Sequence, residues 1–264
     1  MIMSKIEEEG FLSNESEDGK SHLIEKYSDF FEFAREMNRL CMKLLSELRI
    51  DWEDKHKLIT HTLFIRTVEN YQGVYLLLER GMMAQAKVLT RSMLEALFTL
   101  VALQKKPKLL ASYLDQHEES YRRGLKAAMK FKSKSLKEAA KMHGLEKRYI
   151  EKKQELKNRE LKALSPIEWA IEAELEDYYN VYYVTYSNSI HSNLSALDDH
   201  IDETKDDINL SMGPSDIDLY DVLKCGIFIL LNAANSIELV NGNDISSKLH
   251  EYENRFEELE SKHA

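Results

Sequence analysis

Three prolines and nine glycines in 264 residues leave this chain few places to turn. A sheet needs many turns, and turns draw on Gly, Pro and Asn for their special backbone angles. A chain this poor in them favours long helices. The length suits one large helical domain or a domain with an appendage, and it is enough to bury a sizeable core.

Helical periodicity runs almost throughout. Residues 1–20 are polar and acidic and read as a flexible tail. The domain proper then spans 21–264. An amphipathic helix covers 21–49, with Leu23, Tyr27, Phe30, Phe31, Ala34 and Met37 at three-four spacing. A long helix comes next over about 56–80, stopped by Gly81, and a partner runs to about Leu103. The short connection makes the two antiparallel neighbours. Pro107 opens a helix over about 107–132. SLKE (135–138) reads as a capping box, with Gly144 closing that short helix. Residues 145–164 form a helix charged nearly all round, and SPIE (165–168) is a second capping-box start. Residues 177–202 form an aromatic helix, with a break expected near His191. INLSM (208–212) suits a short strand, and Ser215 caps a core helix over 216–241 that Gly242 stops. A last helix covers 244–262. The expected fold class is therefore all-α: an antiparallel bundle of five or six main helices. Residues 130–164 form a charged helical hairpin inserted into it.

The net charge of −10 is unevenly spread. Residues 105–162 hold 18 Lys+Arg against 8 Asp+Glu, so the remainder carries −20. Such a basic field attracts phosphates. Glu alternates with Lys in its second half, however, as on a solvated helix, and no base-reading motif accompanies it. A plain surface helix is the expected reading ahead of a nucleic-acid partner, and a third use is docking on the acidic remainder of a second copy in a homo-oligomer. Cys41 and Cys225 lie far apart in helical contexts and read as buried thiols of a reducing compartment. The N-terminus lacks the pattern of a signal peptide. No run of about 18 apolar residues is evident, so no membrane span is expected. Together these point to a cytoplasmic protein.

Two helices carry polar residues where a core helix would carry none. On 58–79, Thr62, Arg66, Glu69 and Asn70 share one face. On the next helix, Lys87, Arg91 and Glu95 lie in line amid Val88, Leu89, Met93 and Leu94. Buried charges are costly unless paired. Arg66, Glu69, Asn70, Arg91 and Glu95 should therefore pair with one another or converge on a cleft that holds a small anion or carboxylate. Tyr183, Ser187 and His191, spaced by four, would add a phenol, a hydroxyl and an imidazole. If the chain is an enzyme, His191 is its candidate acid or base. A di-iron site wants two Glu-x-x-His pairs with further carboxylates. Glu53–His56 is one such pair, but Glu260–His263 falls on a tail and cannot join a core, so neither metal nor other cofactor is expected.

Arg66 and Glu69, then Ala86, Leu89, Arg91, Ser92 and Glu95, then Tyr183, Ser187 and His191 resemble a helical family, the domain-of-unknown-function family numbered 5677. The resemblance covers about residues 56–241 and is most specific over 81–97. It implies a helical bundle in which the Arg/Glu pairs meet the Ser/His helix, and it implies no particular activity. A more distant similarity is to HEPN-type helical ribonucleases, which carry Arg, four to six residues, then His. Arg49 and His56 match that spacing, whereas no arginine precedes His191 at it. On this alternative the chain cleaves phosphodiesters, with Arg66 or Arg91 stabilising the phosphate. A third reading is a self-associating scaffold whose polar cluster is structural.

Overall fold

A computed structural model of the chain describes residues 8–14, 16–49, 51–157, 159, 162–190, 197, 200–203, 208–210, 212–243 and 245–263. Among them the architecture is the expected all-α bundle. Helices α1 (Ser16–Lys26) and α2 (Ser28–Glu47) replace the single helix foreseen over 21–49. Tyr27, at φ −116° and ψ 30°, leaves the helical angles between them, although its amide still bonds to the Leu23 carbonyl at 3.1 Å. The helix thus starts inside the segment read as a tail. Two contacts hold it there: Leu23 is buried, and Lys20 lies 3.2 Å from the buried carboxylate of Glu79.

The two central helices form as the pattern dictates. In α3 (Lys55–Leu78), Asp54 caps the start by accepting from the Lys57 amide at 3.0 Å. Helix α4 (Met83–Lys105) returns antiparallel beside it. A 3₁₀ turn, Pro107–Leu109, leads into α5 (Leu110–Ala128). Then come α6 (Lys134–Met142) and α7 (Leu145–Glu155). The SLKE capping box does not form. Ser133 is the cap residue, and the Ser135 hydroxyl is engaged with that of Ser133 at 2.8 Å. Helix α7 also stops nine residues short of the expected 164. Leu156 turns inward to become buried, and Asp115 of α5 takes both the Arg159 guanidinium at 2.6 Å and the Lys162 amide at 3.3 Å. These contacts outweigh one further helical turn.

The second capping box does form. Helix α8 (Pro166–Ala173) starts with the Ser165 side chain accepting from the Glu168 amide, while Glu168 accepts from the Ser165 amide at 2.7 Å. The aromatic segment is not one regular helix. A single turn, α9 (Glu176–Tyr178), passes into a π-helical stretch at Tyr179–Tyr183 and then into α10 (Val184–Asn188). Two three-residue strands, β1 (Ile201–Glu203) and β2 (Ile208–Leu210), pair antiparallel with Ile201 opposite Leu210. They are a local ribbon outside the helical core.

Helix α11 (Leu219–Asn241) is the central element, packed on α2, α3 and α4, and α12 (Ser246–His263) closes the bundle. Ser215 does not cap α11. It accepts instead from the Ile217 amide, and Asp218 is the cap residue, at φ 65°. Leu219–Asn241 is long and apolar enough to cross a bilayer, with a mean hydropathy of 1.5 over its best window. That window is 72% buried among the other helices, as befits a core helix.

The turn between α3 and α4 depends on Gly81. Its φ is 67°, and a Cβ there would meet the Ser215 amide nitrogen at 2.7 Å, across a backbone bond from that amide to the Gly81 carbonyl of 3.1 Å. Gly124, inside α5, has nothing within 4 Å of the same point. We therefore expect Gly81→Ala to cost about 2 kcal/mol or more in urea denaturation. Gly124→Ala should leave stability unchanged or raise it by about 0.5–1 kcal/mol. Equal effects of the two substitutions would contradict this account of the turn.

Candidate functional site

The expected cluster forms around Arg91, but the structure divides it in two. Arg91 and Glu95 sit one turn apart on α4, where both side chains can lean toward the aromatic segment. The Arg91 Nε donates to the Ser187 hydroxyl at 2.9 Å, and Nη2 donates to the Tyr183 hydroxyl at 2.6 Å. The Tyr183 hydroxyl in turn donates to Glu95 Oε1 at 2.8 Å, and Arg91 Nη1 lies 3.1 Å from the same oxygen. Ser187 completes the arrangement by donating to the Tyr183 carbonyl at 2.6 Å. Every member is thereby satisfied, and the charges of Arg91 and Glu95 cancel.

Packing explains why these groups tolerate their surroundings. The Arg91 guanidinium lies 4.5 Å from the Tyr183 ring centre, within cation–π range. Tyr183 stacks on Tyr179 at 4.7 Å, and both rings lean on Phe98 of α4. Burial pushes the Tyr183 phenol far above its ordinary pKa, and its bond to the Glu95 carboxylate adds to the shift. Burial does the same to Tyr186, whose hydroxyl has no hydrogen-bond partner among the described residues.

Arg66 and Asn70 stand apart from this network. Among the described residues both reach only the Ser92 hydroxyl, each at 3.4 Å. Glu69 is exposed, and among the described residues neither it nor Arg66 makes an ion pair. Lys87, the third member of the α4 line, pairs with Asp218 at 3.0 Å. His191 lies outside the described residues. His56, of the Arg49–His56 pair, has its Nε2 on the Leu103 carbonyl at 2.9 Å, where it satisfies an orphan acceptor at the end of α4.

A cavity of about 350 Å³ opens between α3, α4, α5 and α8. Arg66, Ser92 and Glu95 supply polar atoms along one side. Phe98, Tyr113 and Trp169 supply aromatic surface, and Thr99 and Gln116 add further polar groups. Gln116 is held by the Trp169 indole, which donates to its Oε1 at 3.0 Å. Sequence reasoning found Arg66 and Glu95 but missed this aromatic wall. Trp169 comes directly after the SPIE cap, and a tryptophan in the first turn of a correctly read helix was the available signal. Among the described residues no group of His, Cys, Asp and Glu has the makings of a metal site.

Residues 57–209, more than half of the chain, match the family of unknown function DUF5677. The chain belongs to that family. The matched span runs from the first turn of α3 to β2, and so includes both the Arg91 network and the cavity wall. No curated protein and no solved structure matches the chain, so the HEPN similarity gains no support from either comparison.

The Tyr183 shift gives a pH prediction with a defined sign. An unfolded tyrosine ionises near pH 10. A folded pKa above that value means the contribution is fully present below pH 10 and is lost as pH rises beyond it. Between pH 9 and pH 11 the Tyr183→Phe variant should lose about 1.4 kcal/mol less stability than the wild type, read from urea midpoints. Identical losses in the two proteins would show that Tyr183 ionises normally.

Proposed function

We propose that this DUF5677 protein binds a small carboxylate with an apolar, preferably aromatic, body in the cavity beside Arg66. The observation that carries this reading is the charge balance. Glu95, which lines the cavity, is neutralised by Arg91 behind it through a closed hydrogen-bond network, whereas Arg66 lines the cavity with no carboxylate partner among the described residues. The net charge of these three groups is therefore +1. A guanidinium favours carboxylates because its planar fork matches their geometry. Phe98, Tyr113 and Trp169 would take the apolar body, while Ser92, Thr99 and Gln116 offer orienting hydrogen bonds. A cavity of about 350 Å³ is at the small end of ligand sites, which suits a metabolite rather than a peptide.

In this reading Arg91 acts through others. It holds Tyr183 and Glu95 in place and is too fully engaged to grip a ligand itself. The binding role foreseen for Arg91, Tyr183 and Ser187 becomes one of positioning, and Arg66 becomes the anchor.

Trp169 provides the readout. The chain has two tryptophans, and Trp52 is exposed. In a Trp52→Phe background the emission reports on the cavity alone. Titration with benzoate, phenylacetate and 3-phenylpropanoate, none of which emits with tryptophan, should quench it, with at least one Kd below about 1 mM. Arg66→Ala should weaken that Kd at least tenfold while leaving the fold intact, and Arg66→Lys should fall between. No change in emission with any of the three at about 10 mM would overturn the proposal. Cleavage of RNA by the purified protein, slowed by His191→Ala, would replace it with the ribonuclease alternative.

A further inference from the structure

Helix α6 is amphipathic yet buries none of its residues. Leu136 and Met142 on it are 48% and 77% exposed. Nearby, Met129 at the end of α5 and Ile150 on α7 are 41% and 54% exposed. Met129 and Ile150, with Ala128, Ala140 and Gly144, form the floor of a groove of about 780 Å³ between α5, α6 and α7. Lys137, Lys141 and Lys147 line it too, alongside Glu146 and Glu151; Lys147 pairs with Glu151 at 3.8 Å, so the groove's excess positive charge comes from Lys137 and Lys141. Residues 130–150 carry seven Lys/Arg against two Asp/Glu. Several large apolar side chains left open beside a basic groove are characteristic of a surface that another molecule covers.

The chain itself carries a complementary face. Residues 165–190 hold five Asp/Glu and no Lys or Arg. Glu172 and Glu174 are paired with Lys106 and Lys105. Glu176 and Asp177 are exposed and make no ion pair among the described residues. Beside them in the chain, Ile171, Val181 and Val184 are 48%, 57% and 47% exposed. This face is acidic and apolar where the groove is basic and apolar.

We propose that two copies of the chain associate, the basic groove of each receiving the acidic α8–α10 face of the other. Two basic grooves meeting head-on would repel each other, so opposite faces must be exchanged. Such an exchange is compatible with a closed twofold dimer, in which both junctions form at once. Opposite fields also steer the encounter. An anionic membrane is the weaker occupant. The groove is concave, and the −20 carried outside residues 105–162 opposes approach to an anionic surface.

The test is a charge swap read by sedimentation velocity on the full chain. At about 50 μM and low salt, the wild type should sediment as a dimer and dissociate as salt rises through about 0.5 M. Lys137→Glu/Lys141→Glu should be monomeric, and so should Glu176→Lys/Asp177→Lys, each with an unchanged helical circular-dichroism spectrum. Mixing the two variants should restore the dimer, because both junctions are then again of opposite sign. Ile150→Asp should weaken the wild-type dimer at least tenfold. A wild type that stays monomeric overturns the proposal, as does a dimer indifferent to both charge reversals. Binding of the wild-type monomer to phosphatidylserine vesicles, lost in Lys137→Glu/Lys141→Glu, would assign the groove to a membrane instead.

Discussion

One closed ring of hydrogen bonds, Arg91 to Tyr183 to Glu95 and back to Arg91, decides how the aromatic segment meets the bundle. A guanidinium and a carboxylate on a helix that is otherwise core would be costly if left unpaired. Here each of the three guanidinium nitrogens has a partner, and the two charges face each other at 3.1 Å. The requirement falls on the partner segment, which must bring both a phenol and a hydroxyl to one guanidinium. Tyr183 is the last residue of the π-helical stretch, and Ser187 lies one turn beyond it. A π turn adds a residue to the winding and re-aims the side chains beyond it, so such turns recur where side-chain direction matters more than helix regularity. The stacking of Tyr179 on Tyr183, and of both against Phe98, then fills the space beneath.

This arrangement has an electrostatic consequence for the neighbouring helix. Because Glu95 is committed to Arg91 and Tyr183, it does not neutralise Arg66. Arg66 and Asn70 share the Ser92 hydroxyl, one residue after Arg91, so the two arginines border the same region with opposite fates. One is structural and balanced. The other is a cation beside an aromatic cavity. The match to DUF5677 spans both, so an ion-paired arginine beside one that has no ion pair among the described residues is a property to look for across that family.

Much of this was legible in the sequence because it depends on local rules. The scarcity of Gly and Pro gave the all-α class, and three-four spacing located the long helices. Gly81, Pro107, Gly242 and the Ser165–Glu168 box marked ends where they occur. Tyr183 and Ser187, four apart, were correctly placed on one face toward Arg91. The features that escaped prediction depend on contacts distant in sequence or on local competition. The SLKE box fails because Ser135 finds Ser133 instead. Helix α7 ends early because Asp115, some forty residues upstream, captures the chain. The polar stripe of α3 does not converge whole on the cleft, since Arg66 and Glu69 are both exposed and only Arg66 lines the cavity. No periodicity distinguishes those two outcomes, because both residues occupy the same face. The aromatic wall from Tyr113 and Trp169 required knowing that α5 and α8 fold back over α4.

The central claim is that Arg91 supports the fold while Arg66 does not. Urea denaturation of Arg91→Ala and Arg66→Ala, measured side by side at neutral pH, tests it most directly. Removing Arg91 takes the counter-charge from Glu95 and the guanidinium donor from Tyr183 and Ser187, leaving only the Tyr183–Glu95 hydrogen bond, and should cost about 2 kcal/mol, the Glu95 side chain being 43% exposed and so partly relieved by water. Removing Arg66 should change stability by no more than about 0.5 kcal/mol. Comparable losses from both substitutions, or a larger loss from Arg66→Ala, would contradict the division of roles on which the account rests.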